Sequence, residues 1–237
     1  MIPLVAQVES NGSHRQLRVT PLNFRPAAET GSAPAPSAAV DAARNALRTA
    51  LRARRAALSD AQRSAAAKTI TQHIAATRWL RGARPVGLYV AVGYEVGTDP
   101  LCALARRRCC PVYLPRIADY RRRLMLFARA PGERTLLNRH GIPEPAGAQC
   151  LSARALSVVF VPLLGFDAHG TRLGAGAGYY DRLFAYRRHR RSWHRPLLVG
   201  LAFRCQRLEH IEPARHDVPL DAVVTEEGVI RFNPSAQ

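Results

Sequence analysis

The chain has 237 residues, 47% of them hydrophobic and 22% charged, a globular composition long enough for one sizeable α/β domain. No run approaches the roughly 18–20 apolar residues of a membrane span, which excludes a bilayer-crossing helix. The net charge is +18 and Lys68 is the only lysine, so the skew toward arginine and alanine reads first as GC-rich coding bias. A field this positive still attracts anions, whether nucleotides, polyglutamates or nucleic acid.

Residues 1–38 show no sustained period and end in Gly31-Ser32-Ala33-Pro34-Ala35-Pro36-Ser37, a linker composition. A disordered N-terminal tail is expected there, followed by a single catalytic α/β domain over residues 39–237. From Asp41 to about Ala57, Ala, Leu and Arg predict a first helix. Ser59-Asp60-Ala61-Gln62 has the form of a capping box and opens a second, with Ala66, Ile70, Ile74 and Ala75 as its apolar positions. Val86–Val92 is a short apolar run suited to a buried strand. Thr98 is placed to cap a helix with Pro100 in its first turn, running to about Arg108.

Further strands are expected at Val112–Pro115, Leu124–Ala128, Ser157–Pro162 and Leu197–Phe203. A helix is expected from Tyr179 into the basic run Arg187–Arg191, and Ala222–Thr225 and Val229–Phe232 close the chain. Apolar strands alternating with helices predict a three-layer α/β/α fold with a mostly parallel sheet. The five cysteines form no CxxC pair and show no zinc spacing, and the N-terminus lacks a continuous apolar signal stretch. Reduced thiols and a cytoplasmic location are the expectation.

The most informative segment runs from Leu163 to Arg182, between the strand ending at Pro162 and the helix near Tyr179. Its glycines, Gly174, Gly176 and Gly178, are spaced G-x-G-x-G, which is neither a Walker A loop nor the dinucleotide fingerprint. By spacing alone, a tight structural turn and a phosphate cradle both remain open. Arg172 before the loop suits phosphate oxygens, and Asp181 beyond it could hold Mg²⁺ with waters.

Arg172-Leu173-Gly174-Ala175-Gly176-Ala177-Gly178-Tyr179-Tyr180-Asp181, preceded by Pro162-Leu163-Leu164-Gly165-Phe166-Asp167-Ala168-His169-Gly170, resembles the signature of the 5-formyltetrahydrofolate cyclo-ligases. Other landmarks are similar to that family's in the same order: Arg44-Asn45-Ala46-Leu47-Arg48, Glu95-Val96-Gly97-Thr98, Leu114-Pro115-Arg116, Gly141–Pro145 and His216–Asp221. The resemblance implies a NagB/RpiA/CoA transferase-like fold, ATP as cosubstrate and Mg²⁺ as cofactor. It implies closure of 5-formyltetrahydrofolate, in its polyglutamylated form, to 5,10-methenyltetrahydrofolate by a monomer. Arg44, Arg48 and Arg172 would contact ATP phosphates, and Gly174, Ala175, Gly176, Ala177 and Gly178 would form the nucleotide loop. Val90 and Glu95 would meet the folate together with Gly176, Gly178 and Tyr179, and Asp181 and Asp217 would serve the metal. Tyr179 and Tyr180 would sit where the two substrates meet, with Arg172, Tyr179 and Tyr180 as the catalytic set. Two positions depart from the family pattern: Arg44 stands where Lys is usual, and Ala177 where Lys or Gly is found.

The arginine clusters leave a basic nucleic-acid-binding protein as the alternative. That class calls for an aromatic stacking platform or a groove-reading motif. Aromatics are 7% of the chain and no such motif is present, so nucleic acid is expected only as a non-specific partner. Asp167 and His169 are expected to shape the turn before the glycine loop, and His216 to be a surface residue.

Overall fold

A computed structural model describes residues 38–130, 135–147, 149–189 and 195–232. Helix α1 (Ala38–Ala56) forms from strong helix formers, as expected. Helix α2 (Asp60–Ala75) starts at a complete capping box. The Gln62 amide N–H donates to the Ser59 hydroxyl at 3.2 Å, and the Ser59 N–H donates to the Gln62 side-chain oxygen at 2.8 Å. Its buried stripe is Ala67, Ile70 and Ile74, so Ala67 takes the place expected for Ala66.

The remaining elements are β1 (Val86–Gly87), α3 (Asp99–Arg107), β2 (Val112–Asp119), β3 (Leu124–Arg129), β4 (Thr135–Leu137), β5 (Pro143–Pro145) and β6 (Cys150–Leu151). There follow β7 (Val158–Pro162), β8 (Gly165–Phe166), β9 (Arg172–Leu173), α4 (Tyr179–Leu183), β10 (Leu197–Leu201), β11 (Ala222–Thr225) and β12 (Gly228–Arg231). One eight-stranded sheet has the order β12-β11-β10-β7-β1-β2-β3-β6, and β4–β5 and β8–β9 are separate hairpins. The five central strands run parallel, while β12, β3 and β6 add antiparallel pairs toward the edges.

Alternation along β7 decides the layers. Val158 and Phe160 enter one core with Val199, Leu201, Ala222 and Val224, where Ile70, Ile74, Leu101 and Leu104 bring α2 and α3. Val159 and Val161 enter the other with Leu198 and Val223, covered by Phe184 and the flanking Leu183 and Tyr186. Strands buried on both faces between such layers are the parallel-sheet signature, so the architecture is three-layered, α/β/α. The described residues belong to one compact unit, Pro36–Gln237. The tail expected over residues 1–38 lies outside the described residues, apart from Ala38 at the start of α1.

Three expectations are corrected. The strand expected over Val86–Val92 pairs with β2 and β7 only at Val86 and Gly87. Beyond them Leu88 still donates to the Tyr113 carbonyl, and the Tyr89 carbonyl is taken by the Thr98 hydroxyl at 2.7 Å. That hydroxyl is therefore not a helix cap: Thr98 sits at the N-cap of α3 without a side-chain capping bond. The single helix expected from Tyr179 into the basic run is α4 followed by a 3₁₀ segment, Ala185–His189. The break falls at Phe184, which leaves the helical region (φ −101°, ψ 9°) with its ring fully in the core. The end of that basic run, residues 190 and 191, lies outside the described residues.

Helix α1 takes an unanticipated position. Leu51 is fully buried with Leu164, Leu173 and Ile211, residues that follow the carboxyl ends of β7 and β10. The helix thus packs beyond the ends of the strands, where an open α/β sheet binds ligands. The sheet order changes direction there too: from β1 the chain moves to β2 on one side and later to β7 on the other.

Candidate active site

Strand β7 runs straight into the β8–β9 hairpin, whose tip is shaped by Asp167. This fully buried carboxylate accepts the His169 and Thr171 N–H groups on Oδ1, each at 2.9 Å, and the Ile211 N–H on Oδ2 at 3.1 Å. The turn-shaping role expected for Asp167 is what the hydrogen bonds show. The same carboxylate also fastens the segment leading to Asp217, a link the sequence did not suggest.

Arg172 leaves the hairpin buried, and its Nη2 donates to Asp181 Oδ1 at 2.7 Å. Asp181 Oδ1 also accepts the Val218 N–H at 3.3 Å, which brings Asp181 against the residue after Asp217. Asp217 Oδ2 accepts Nη2 of Arg44 at 2.9 Å and the Ala214 N–H at 2.9 Å. Arg44 also donates to the Glu212 carbonyl. Among the described residues the other two oxygens, Asp181 Oδ2 and Asp217 Oδ1, receive no hydrogen bond. No three His, Cys, Asp or Glu side chains of the described residues cluster to enclose a metal ion on their own.

The glycine loop closes over this pair of ion pairs. Arg48 Nε donates to the Gly174 carbonyl at 3.1 Å, so α1 holds the start of the loop. Burial, then the neighbouring Arg44 and Arg52 charges, lowers the pKa of the Arg48 guanidinium. Gly176 (φ 108°) and Gly178 (φ 70°) occupy the left-handed half of backbone space, which L side chains rarely adopt. The Ala177 carbonyl accepts from Arg182 at 3.0 Å and from Arg123 at 3.3 Å. A cleft of about 330 Å³ beside Arg172 and Asp217 is lined also by His169, Thr171, His210 and Val218.

Arg172 also neighbours an aromatic side chain. The Arg172 guanidinium carbon is 5.9 Å from the Tyr180 ring centroid. Burial, followed by the Glu95 charge, raises the Tyr180 pKa and keeps its phenol protonated. Glu95, in the loop after β1, accepts the Val92 N–H at 3.0 Å. Burial raises its pKa above the ordinary value, opposed by the Val92 bond and the Arg55 charge. Tyr89 is buried beneath and donates to the Val96 carbonyl at 2.9 Å.

The structure therefore brings together the Arg44–Asp217 and Arg172–Asp181 pairs, which adjoin through the Val218 N–H bond to Asp181, and places the Arg48 bond to the Gly174 carbonyl two residues along the chain from Arg172; Tyr180 lies beside Arg172, and the Glu95 charge acts on Tyr180. Val90 and Tyr179 are half-buried nearby in the chain, without a hydrogen bond to that cluster. His216 is exposed, as expected. Arg55, Arg123 and Arg182 were missed. Arg55 and Arg123 lie in arginine runs that composition alone marks as solvated surface, and Arg182 ends the glycine-loop segment with no role assigned to it; the path of α1, the β2–β3 turn and α4 bring them to the Leu163 and Ala177 carbonyls.

A model of the 5-formyltetrahydrofolate cyclo-ligase family matches residues 40–226. The chain belongs to this family. The cyclo-ligase of Haemophilus influenzae is 33% identical over 182 residues, spanning 75% of this chain and 94% of that protein. The Escherichia coli K12 cyclo-ligase is 34% identical over 146 residues, spanning 60% and 78%. Among solved structures, the 5,10-methenyltetrahydrofolate synthetase of Aquifex aeolicus superposes with a TM-score of 0.70 at 25% identity, covering 82% of this chain and 95% of that one. The synthetase of Mycoplasma pneumoniae, at 22% identity and a TM-score of 0.59, supports the fold. Among the described residues no helix is long and apolar enough to cross a membrane.

In this cyclo-ligase family member, Glu95 makes a stability prediction of its own. A raised folded pKa means that the native state binds more protons than the unfolded chain in the window upward from about 4.5. Stability therefore falls as pH rises through that window. Glu95→Gln keeps an acceptor for the Val92 N–H but has no charge to desolvate. Its melting temperature should match wild type below pH 4.5 and exceed it increasingly toward neutrality. A gap that does not change with pH would show that the Glu95 charge is not desolvated.

Proposed function

We propose that the chain closes 5-formyltetrahydrofolate to 5,10-methenyltetrahydrofolate, consuming ATP in the presence of Mg²⁺ and passing through a phosphorylated formyl group. The observation that carries this reading is the adjacency of two unlike compartments. An arginine, glycine-loop and carboxylate cluster meets the half-buried Tyr180, on which the half-buried Glu95 acts, at Arg172.

An amide oxygen is a poor leaving group until it carries phosphate, which is why the reaction needs ATP. The formyl oxygen attacks the γ-phosphorus and ADP leaves. Nitrogen-10 then adds to the formyl carbon and gives up its proton, and the carbon–oxygen bond breaks to release phosphate as the ring closes. The protein has little covalent work to do; it aligns oxygen with phosphorus and neutralises charge.

In this reading Arg44, Arg48 and Arg172 turn from their carbonyl and carboxylate partners to phosphate oxygens. Backbone N–H groups from Gly174 to Gly178 cradle the same phosphates. Tyr179 and Tyr180 stand at the junction, where the protonated Tyr180 hydroxyl is a donor toward transferring oxygens. Val90, Glu95, Gly176, Gly178 and Tyr179 face the folate, with Glu95 receiving pterin N–H groups.

Mg²⁺ fits the residues present. It is held by one or two carboxylates plus substrate phosphates rather than by an all-protein cage, and Asp181 Oδ2 and Asp217 Oδ1 receive no hydrogen bond from the described residues. When bound it supplies charge neutralisation for the phosphates. A polyglutamylated substrate, a cytoplasmic location and a monomeric enzyme belong to the same proposal.

The test is near-ultraviolet absorbance of purified protein mixed with 5-formyltetrahydrofolate, with and without Mg-ATP. The methenyl chromophore should grow only when Mg-ATP is present. Folded protein that yields no chromophore, beside an active control enzyme, removes the reading.

A further inference from the structure

The end of the sheet opposite the candidate active site has a cleft of its own. Val86, Val158 and Leu197 open β1, β7 and β10 and lie side by side in the parallel register. At these amino ends is a cleft of about 310 Å³. Val158 and Leu197 line it from the sheet, and the segment between α2 and β1 lines it with Arg78, Trp79, Arg81 and Arg84. Among the described residues no Asp or Glu lines it.

The three arginines are exposed. Among the described residues none of their side chains makes a hydrogen bond or an ion pair. Ser157 also lines the cleft, but its hydroxyl already donates to the Pro85 carbonyl at 2.9 Å. Trp79 is held edge to face by Phe160, with 6.4 Å between ring centroids, and the Arg231 guanidinium lies 5.3 Å from its ring centroid. Arg231 thus adds a fourth positive charge beside the cleft. Between Arg81 and Arg84, Ala83 sits in left-handed backbone (φ 52°), which is uncommon for a residue with a Cβ. Such conformations cluster at ligand clamps. Arginine is abundant along the whole chain, but the buried ones have carboxylate partners: Arg44 with Asp217, Arg172 with Asp181, Arg187 with Asp221. In this cleft like charges share a concave surface with no carboxylate, where field lines are focused on an incoming anion.

We propose that this cleft is a second binding site, for a compact polyanion of the diphosphate class, held by Arg78, Arg81 and Arg84. It does not depend on the nucleotide and folate reading of the other end of the sheet. Planar guanidinium forks match phosphate oxygens two at a time. A phosphate monoester carries about −1.5 to −2 of charge at neutral pH and a carboxylate about −1. Phosphoryl groups therefore satisfy several guanidiniums within a smaller volume. A cleft of about 310 Å³ lies at the small end for ligand pockets, which suits a ligand of that size.

The measurement is a titration of the full chain with inorganic pyrophosphate, followed by calorimetry and by tryptophan fluorescence. It is made at an ionic strength of about 0.15 M, where attraction between exposed charges is screened beyond about 8 Å. Wild type should bind saturably, with a change in Trp79 emission that Trp79→Phe abolishes. Arg81→Gln with Arg84→Gln should weaken pyrophosphate by about tenfold or more, the range for losing hydrogen bonds to a charged group. Both side chains are exposed, so the melting temperature of this variant should hold. Arg106→Gln with Arg107→Gln removes the same charge from the exposed end of α3 and should leave the affinity unchanged. Citrate, a compact polycarboxylate, should bind wild type more weakly than pyrophosphate does. Equal weakening in the two double variants would reduce the effect to the overall positive field and overturn the site. So would a loss of affinity in Arg172→Ala that the cleft variant does not show, because the anion would then lie at the glycine loop. Citrate binding as tightly as pyrophosphate overturns the phosphoryl assignment, and a wild type that shows neither heat nor a change in emission removes the proposal.

Discussion

An Arg172→Ala enzyme is expected to lose on the order of 10²–10³-fold in kcat/KM for ATP, the loss typical of removing one donor aimed at developing charge. Affinity for the folate should change little. Arg172 lies between the two compartments, with its guanidinium on Asp181 and 5.9 Å from the Tyr180 ring. Truncation also strands a mostly buried carboxylate, and breaking such a pair costs about 3–5 kcal/mol of stability. The two losses separate in the double variant Arg172→Ala with Asp181→Asn. Neutralising the stranded carboxylate should recover most of the melting temperature and none of the ATP kinetics. Wild-type ATP kinetics in Arg172→Ala would take this residue out of phosphate binding.

Asp167→Ala carries the largest expected effect on stability among residues outside the apolar core. The substitution leaves the His169, Thr171 and Ile211 N–H groups without their acceptor, and Ile211 is fully buried. At about 1–3 kcal/mol for each buried orphan, a total near 3 kcal/mol or above is expected. That corresponds to a fall of about 6–12 °C in melting temperature for a domain of this size. Activity should drop well below the melting transition too, because the carboxylate ties the β8–β9 hairpin bearing Arg172 to the segment leading to Asp217. Thermal melts and turnover at low temperature check the two effects. A loss of less than about 1 kcal/mol would mean that water replaces the carboxylate at these N–H groups.

Much of this site was legible because its parts are local. The glycine loop follows an apolar strand and precedes a helix, and Arg172, Gly174, Gly178 and Asp181 are close in sequence, so the order of residue types carries the chemistry. The capping box at Ser59 was readable for the same reason: both its hydrogen bonds span three residues. What failed depends on distant groups. The strand at Val86 stops after two residues because the chain there turns toward Thr98, whose hydroxyl takes the Tyr89 carbonyl. The helix after Tyr179 ends early because the core claims the Phe184 ring. Arg55 and Arg52 are nearly indistinguishable in sequence, yet Arg55 is buried and Arg52 is exposed. Only the docking direction of α1 tells them apart.

That direction also sets an order of events in folding. Helix α1 is made first, but the surface receiving it is assembled from the far end of the chain. Arg44 meets Glu212 and Asp217 across 168 and 173 residues of sequence, and Leu51 rests on Leu164, Leu173 and Ile211. Contacts this remote require loop closure before they return any stabilisation, which slows their formation. During synthesis α1 therefore waits as an unpartnered, arginine-rich amphipathic helix until nearly the whole chain has left the ribosome. The arginine–carboxylate cluster closes last, and no truncated product lacking the final segment can complete it.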